Sequence, residues 1–388
     1  CWGIGMIQQM VAFLGKRDVP ILTEHAVREL LTDATGAVIG VLVETPDGLK
    51  RVRGRQAVIV ATGGYAHNTD MIQRYQEVFA YGSCAMPSSQ GDFIPLASRV
   101  GAQMGNLHGA WRCGVVLEQA LENRSVGTGL FVPPGDSILL VNRFGQRFVN
   151  EHRNYNDRSR SHATFDPNRV EFPNEFQFMV YDQRIVETVG EQNGQPPIKP
   201  AESYVISGKT LSDLAQNIAA RVEALAPRLG GYELDKSFAQ NLKDTVQSFN
   251  QYAVKGHDPD FGRGELPYDN AWQQLWALPT YTETHPANPH PNLSLHPLAA
   301  GGPYYAIILA PGLLDTNGGP LTDSSARVVD KDFQPIPGLY GAGNCICAPT
   351  RNAYAGAGGT LGPALTYGYI AGKHALTQGA RNSDSRSA

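Results

Sequence analysis

The stretch Pro337 to Gly372, PGLYGAGNCICAPTRNAYAGAGGTLGPALTYGYIAG, decides how the rest of the chain is read. Gly338-Leu339-Tyr340 reads as the end of a short strand running into Gly341-Ala342-Gly343-Asn344. After one connection a second cluster, Gly356, Gly358, Gly359 and Gly362, opens a helix through Leu361 to Ala371. Glycines at a strand end and at a helix N-terminus expose backbone N–H groups with no side chain in the way, which suits the pyrophosphate of a dinucleotide. The competing reading is a pair of tight turns. After Gly358 no acidic residue occurs before Asp384. The primary phosphate loop of a dinucleotide fold wants one about 20 positions on, so this stretch is not that loop.

Upstream, Ile4, Ile7, Met10, Val11 and Leu14 recur at helical spacing, and Val19-Pro20-Ile21-Leu22 predicts a short strand. Val38 to Val43 and Leu49 to Val52 flank Pro46-Asp47-Gly48, which is turn chemistry and predicts a hairpin. A short buried strand, Ala57 to Val60, then runs into Ala61-Thr62-Gly63-Gly64, where backbone can approach a ligand at a strand's carboxyl end. From about Gly101 to Gly301 the chain is richer in aromatics, Asn, Pro and charge, with an amphipathic helix through Leu242, Val246, Phe249 and Ala253 and a Pro/His/Asn-rich loop, HPANPHPNLSLHP. Strand-like patterning returns from Tyr304 to Ala310. The expected architecture is α/β: one domain in two portions, residues 1–100 and 304–388, interrupted by a second domain at 101–303.

Composition narrows the function. A chain of 388 residues is long enough for two domains, and its formal charge of -4 supplies no basic field for nucleic acid. Five cysteines without a C-x-x-C spacing indicate neither a disulfide framework nor a zinc site and fit a reducing, cytoplasmic compartment. Cys345-Ile346-Cys347 reads as packing. His285, His290 and His296 each precede Pro and lack i, i+4 ligand spacing, so no metal site is expected. Asp258, Asp260, Arg263 and Glu265 read as a charged loop, either a solvated face or a structural ion pair. No apolar run approaches the roughly 18 residues of a membrane span.

The motifs ATGGY (Ala61 to Tyr65), GD followed by LASRVGA (Gly91 to Ala102), NRFGQRFVNE (Asn142 to Glu151), TNGGPLTD (Thr316 to Asp323) and PGLYGAGN (Pro337 to Asn344) occur in one order. That collinear set resembles the flavoprotein family of fumarate reductase and succinate dehydrogenase. The resemblance implies FAD, a split Rossmann-like FAD-binding domain, and an inserted α+β capping domain that bears on the substrate. It further implies that the principal phosphate loop lies upstream of Cys1 or on a second chain. Cofactor contacts carried over are Val27, Ala61, Thr62, Gly63, Gly64, Asp92, Gly343, Asn344, Gly359, Thr360 and Leu361.

Fumarate reductases are similar to one another in having an Arg proton donor four residues after the motif Glu and another Arg in the C-terminal glycine stretch. Tyr155 and Ala355 stand there. Clamping two carboxylates needs cations, so dicarboxylate reduction is disfavoured. Tyr155, Tyr354, the segment GHDPDFGRGELPYD (Gly256 to Asp269) and HGAWRC resemble 3-ketosteroid Δ1-dehydrogenases. That resemblance makes Tyr155 the base for a proton alpha to the ketone, with the Tyr354 hydroxyl and Gly358 N–H stabilising the enolate. An external electron acceptor would reoxidise the flavin. Trp111, Phe131, Phe176, Phe178 and Leu314 are candidate linings for a steroid-like substrate. Two other readings stay open: a reductase of an enone or unsaturated acid, anchored by Arg351 or Arg153, and a non-catalytic flavin-binding or assembly subunit.

Overall fold

The computed structural model describes residues 3–127, 135–189, 196–275, 287–356 and 358–378; Phe131, His285 and the tail from Gly379 lie outside them. The first helix forms as patterned, α1 at Gly3–Gly15, with Ile4, Ile7, Met10, Val11 and Phe13 exposed. The strand expected at Val19 to Leu22 does not form, and Val19, Ile21 and Leu22 are exposed in irregular chain. Left-handed backbone at Asp18 and Glu24 bends the chain on either side, and Pro20 lacks a ladder donor. The first strand is instead β1, Ala26–Thr32, antiparallel to β2, Val38–Thr45, which turns into β3, Gly48–Arg53. Thr45 pairs with Gly48, whose φ of 105° fills the left-handed position of the hairpin.

The short strand β4 covers Val58–Val60. Only Val60 is fully buried; Ile59 is 42% exposed, so the strand is open on one face. The next elements are α2 (Thr69–Tyr75), β5 (Gly82–Ser83), α3 (Phe93–Arg99), β6 (Met104–Gly105), β7 (Ala110–Val116), α4 (Leu117–Glu122), β8 (Ile138–Val141) and α5 (Tyr155–Ser159). They are followed by β9 (Gln177–Asp182), α6 (Gln183–Val189), β10 (Ile206–Gly208), α7 (Leu211–Leu225), α8 (Phe238–Lys255) and α9 (Pro267–Leu275). The chain then forms β11 (Tyr304–Thr316), β12 (Gly319–Pro320), β13 (Arg327–Val329), β14 (Pro335–Gly341) and α10 (Leu361–Thr377).

Two sheets place the chemistry. In the smaller, ordered β13-β14-β4, β14 runs parallel to β4 with Tyr340 opposite Ile59 and Gly341 opposite Val60. Both chains therefore leave the sheet at one end, and the Ala342 N–H donates to the Val60 carbonyl at 2.9 Å. In the larger sheet β11 is the hub. Its first half lies between β10 and β9, and its second half between β7 and β5. The strand runs to Thr316, well past the Ala310 read from pattern, because it is buried along nearly its whole length. A strand buried on both faces shows a continuous apolar run rather than an alternation. It is consequently shared: its start joins the segments between Gly101 and Gly208, and its end delivers Asp315 and Thr316 to the first glycine turn. The sheet's core packs on α7 and α8. The apolar stripe Leu242, Val246, Phe249 and Ala253 is buried as its spacing predicts. α7 begins with a capping box between Thr210 and Asp213.

Candidate active site

Tyr155 opens α5, where Asn154 caps the helix by accepting the Asn156 N–H at 2.9 Å. Tyr354 arrives from the other end of the chain, in the connection before α10. Their hydroxyls meet at 2.6 Å across 199 residues of sequence, and the rings lie 5.2 Å apart between centroids. Trp111, Ala348 and Leu314 complete this small apolar cluster. Of the predicted pocket linings, Trp111 and Leu314 are here, whereas Phe176 and Phe178 sit in the large core against Tyr232 and Phe238. Burial pushes the Tyr155 phenol well above its ordinary value, reinforced by the hydrogen bond to Tyr354, and burial raises Tyr354 as well. The resting pair is thus neutral, with burial the larger cause for both phenols.

Asn154 also donates to the Tyr354 carbonyl at 3.5 Å. Its side chain is hydrogen-bonded to Tyr268 at the start of α9. The backbones carrying both tyrosines are joined through this one carboxamide.

The glycines that opened the sequence reading have distinct jobs. Gly356 and Gly358 adopt φ of 116° and 89°, which side chains resist. A Cβ on Gly359 would stand 2.6 Å from Cε2 of Tyr354, so this position must be bare for the ring to lie where it does. No acceptor for the Gly358 N–H occurs among the described residues. We expect Gly359→Ala to push the Tyr354 ring aside and lower turnover by about two orders of magnitude, since displacements near 1 Å carry losses of that size. Steady-state kinetics on a variant with unchanged thermal midpoint checks this.

On the other side of Trp111, the ATGGY turn leaves β4 next to the Gly343-Asn344 turn leaving β14. Gly63 has φ of 75°, and the Gly91 N–H donates to the Gly64 carbonyl at 3.0 Å, placing Asp92 beside the turn. The Gly64 N–H donates to Asp315 at 2.9 Å, and a Cβ on Gly64 would lie 2.5 Å from an Asp315 carboxylate oxygen. Asn344 donates to Asp315 at 3.1 Å and accepts the Trp111 indole N–H at 3.3 Å. Asp315 escaped the sequence reading; a lone acid in the apolar run YYAIILAPGLLDT was the signal available. Ala61, Thr62, Asp92, Gly358 and Leu361 are exposed. Gly343 backs onto Ala364 of α10, bringing the two glycine clusters together. Val27 lies on β1 opposite Val43 of β2 and is 38% exposed.

Behind Tyr155 lies a buried ionic network. Glu151 accepts from Arg147 at 2.9 Å and from Arg263 at 3.2 Å, and Arg147 also reaches Asp258 at 2.9 Å. Arg263 further donates to the carbonyls of Ile138 and Gly135 at 2.7 and 2.6 Å and contacts His152 Nε2 at 2.9 Å. The charged loop of Asp258, Arg263 and Glu265 is therefore divided between a buried ion network and the surface. Asp258 and Arg263 are fully buried, while Glu265 pairs with His257 at the surface. Burial opposes ionisation of Glu151, but Arg147 and then Arg263 outweigh it and hold the carboxyl down at about 2. A depressed pKa contributes stability above the ordinary value near 4.5 that is lost as pH falls toward 2. Stability should therefore fall steeply as pH drops through that window in the wild type, and Glu151→Gln should flatten the dependence, as followed by circular dichroism.

No group of three or more His, Cys, Asp or Glu residues is arranged to hold a metal among the described residues. No helix there is long and apolar enough to cross a membrane. Cys345 and Cys347 are buried, and burial raises the Cys345 thiol to about 11, in keeping with packing.

The family described as "FAD binding domain" matches residues 3–361. The chain belongs to this flavoprotein family. Its cofactor is FAD, and the site suits it: bare glycine turns leave the ends of two adjacent parallel strands, a helix N-terminus offers an N–H, and Leu361 is exposed beside it. Among its relatives, 4-oxocyclohexanecarboxylate 2-dehydrogenase of Sinomonas cyclohexanicum is 35% identical over 92% of this chain and 57% of the relative. The 3-oxosteroid 1-dehydrogenase of Mycobacterium tuberculosis (strain ATCC 25618 / H37Rv) is 30% identical over 97% of this chain and 63% of the relative. The crystal structure of 3-ketosteroid Δ1-dehydrogenase from Sterolibacterium denitrificans, in complex with 1,4-androstadiene-3,17-dione, superposes with a TM-score of 0.78 at 27% identity, covering 94% of this chain and 61% of that one. The chain thus spans about three-fifths of the length of these relatives.

Proposed function

We propose that the protein dehydrogenates a cyclic ketone at the carbons alpha and beta to its carbonyl, with FAD as the hydride acceptor. The observation that carries this reading is the buried Tyr155–Tyr354 hydroxyl pair at 2.6 Å, with the Tyr354 ring against Gly359 and the adjoining Gly358 exposed. Bound FAD supplies a two-electron sink for the beta hydride. The chain's residues handle the proton. A ketone oxygen entering the site accepts from the Tyr354 hydroxyl and the Gly358 N–H, which lie next to the N-terminal end of α10. Two donors aimed at one oxygen favour the enolate over the ketone and so make the alpha proton more acidic. Tyr155 then acts as the general base in its phenolate form: its own phenol proton leaves to solvent, and the oxygen, held by its helix and by Asn154, takes the alpha proton.

The 101–303 segment acts in this reading as the substrate-side cap, presenting Trp111, Tyr155 and Tyr268. The contacts proposed for the cofactor are the two turns at 61–64 and 343–344, with Asp92, the 359–361 helix start and the backbone at Val27. The substrate is a 3-ketosteroid or a smaller ring ketone, and relatives named for both are similar to the chain.

The reductase reading is the weaker one. Of its two expected anchors, Arg153 lies 3.3 Å from the Asp269 carboxylate, which leaves the exposed Arg351 to that reading. Incubating the cofactor-loaded protein in deuterated water with 4-oxocyclohexanecarboxylate or a 4-ene-3-ketosteroid tests the proposal. Exchange of the alpha hydrogen and formation of the unsaturated product are expected with one of them. Turnover confined to reduction of an unsaturated acid would overturn it.

A further inference from the structure

We propose that Asn344 is a positioning residue: its carboxamide latches the Trp111 indole, and the indole in turn holds the Tyr354 ring in place for reaction. The inference rests on the reading of Tyr354 given above, but its geometry belongs to the cofactor-side turn.

Asp315 and Trp111 face one another across the antiparallel pair of β11 and β7, next to a bulge between Leu313 and Asp315. Asp315 is buried, and its carboxylate accepts the N–H groups of Gly64 at 2.9 Å and Thr316 at 2.8 Å. An ionised carboxylate only accepts, and an indole N–H only donates. Asn344 lies between them, so its orientation is dictated. The amide nitrogen faces Asp315 at 3.1 Å and the amide oxygen faces the Trp111 N–H at 3.3 Å. With the indole tied in this way, its ring packs on Tyr354 at 5.3 Å between centroids, tilted by 49°. Tyr354 is bounded elsewhere by the bare backbone of Gly359 and by Tyr155. Apart from its hydroxyl, the ring is held by packing alone, so the wall formed by Trp111 sets where the hydroxyl points.

The latch also joins two regions 251 residues apart in sequence, the Gly64 turn and the strand bearing Asp315. A shift of the turn on which the cofactor would rest is transmitted to Tyr354 through three hydrogen-bonded side chains and one ring contact.

The test uses the full-length, flavin-loaded protein with Asn344→Leu, Trp111→Phe and the double variant. Trp111→Phe keeps an aromatic wall but deletes the N–H together with part of the ring, so its loss also includes packing. Either single change should lower kcat about tenfold or more, with KM changed less than about threefold and the thermal midpoint within a few degrees, because misplacement of a reacting group is felt in turnover. The double variant should lose no more than the worse single one, since both break one interaction. The Trp111 indole N–H resonance, assigned by its loss in Trp111→Phe, should shift and exchange faster in Asn344→Leu. Wild-type kcat in Asn344→Leu, or additive losses in the double variant, would overturn the latch. If the wild type turns over neither ketone, the functional reading fails separately. The latch is then judged on the indole resonance, and an unchanged resonance in Asn344→Leu overturns it.

Discussion

Tyr155→Phe is expected to abolish nearly all turnover, by about 10²- to 10⁴-fold in kcat, while the flavin spectrum and the affinity for the ketone stay close to those of the wild type. The size follows from what a positioned general base contributes. Phe fills the same space in the cluster of Trp111, Tyr354 and Ala348, so packing is preserved and the loss reports the hydroxyl alone. One consequence separates the roles of the two phenols. Without its 2.6 Å partner, the Tyr354 hydroxyl remains free to donate to the ketone, so Tyr155→Phe should bind ketone well and fail at proton removal. Tyr354→Phe should instead weaken polarisation of the ketone and bind it less tightly. Alpha-hydrogen exchange followed by NMR distinguishes them. Exchange at the wild-type rate in Tyr155→Phe would remove Tyr155 from the mechanism.

The second large effect is on stability. Arg263→Ala removes a fully buried guanidinium that binds Glu151, His152 and the carbonyls of Gly135 and Ile138. Removing one partner from a buried ionic network typically costs about 3–5 kcal/mol, because the remaining groups stay buried without their partner. The expected result is a thermal midpoint lower by several degrees or more and a higher sensitivity to urea. Glu151 retains Arg147, so the loss should fall short of complete unfolding. Arg147→Ala is expected to behave similarly, since its guanidinium lies between Glu151 and Asp258. A midpoint within a degree of wild type for Arg263→Ala would show that the network is energetically neutral.

Local chemistry made much of the fold legible. Gly48 at the hairpin, the Leu242 to Ala253 stripe, and the two glycine turns after β4 and β14 were all readable because the signal lies within a few residues of where it acts. The Val19 to Leu22 run misled because apolar content alone does not make a strand when Pro20 and left-handed bends at Asp18 and Glu24 deny it a partner. β11 was cut short because a strand buried on both faces carries no alternation to follow. Arg263 is the clearest limit. A charged loop reads as solvated until its partner is known, and that partner, Glu151, is 112 residues away. Asp315 likewise acquires its meaning only from Gly64, 251 residues upstream. Tyr155 and Tyr354 stand out only through motif resemblance, since any one of sixteen tyrosines could equally be a packing residue.

An anaerobic visible spectrum of the full-length flavoprotein, taken before and after addition of 4-oxocyclohexanecarboxylate or a 4-ene-3-ketosteroid with succinate as the parallel addition, decides whether a ring ketone reduces the flavin. Bleaching of the oxidised flavin band by a ring ketone and not by succinate is expected. A yellow protein that no ring ketone bleaches would contradict it.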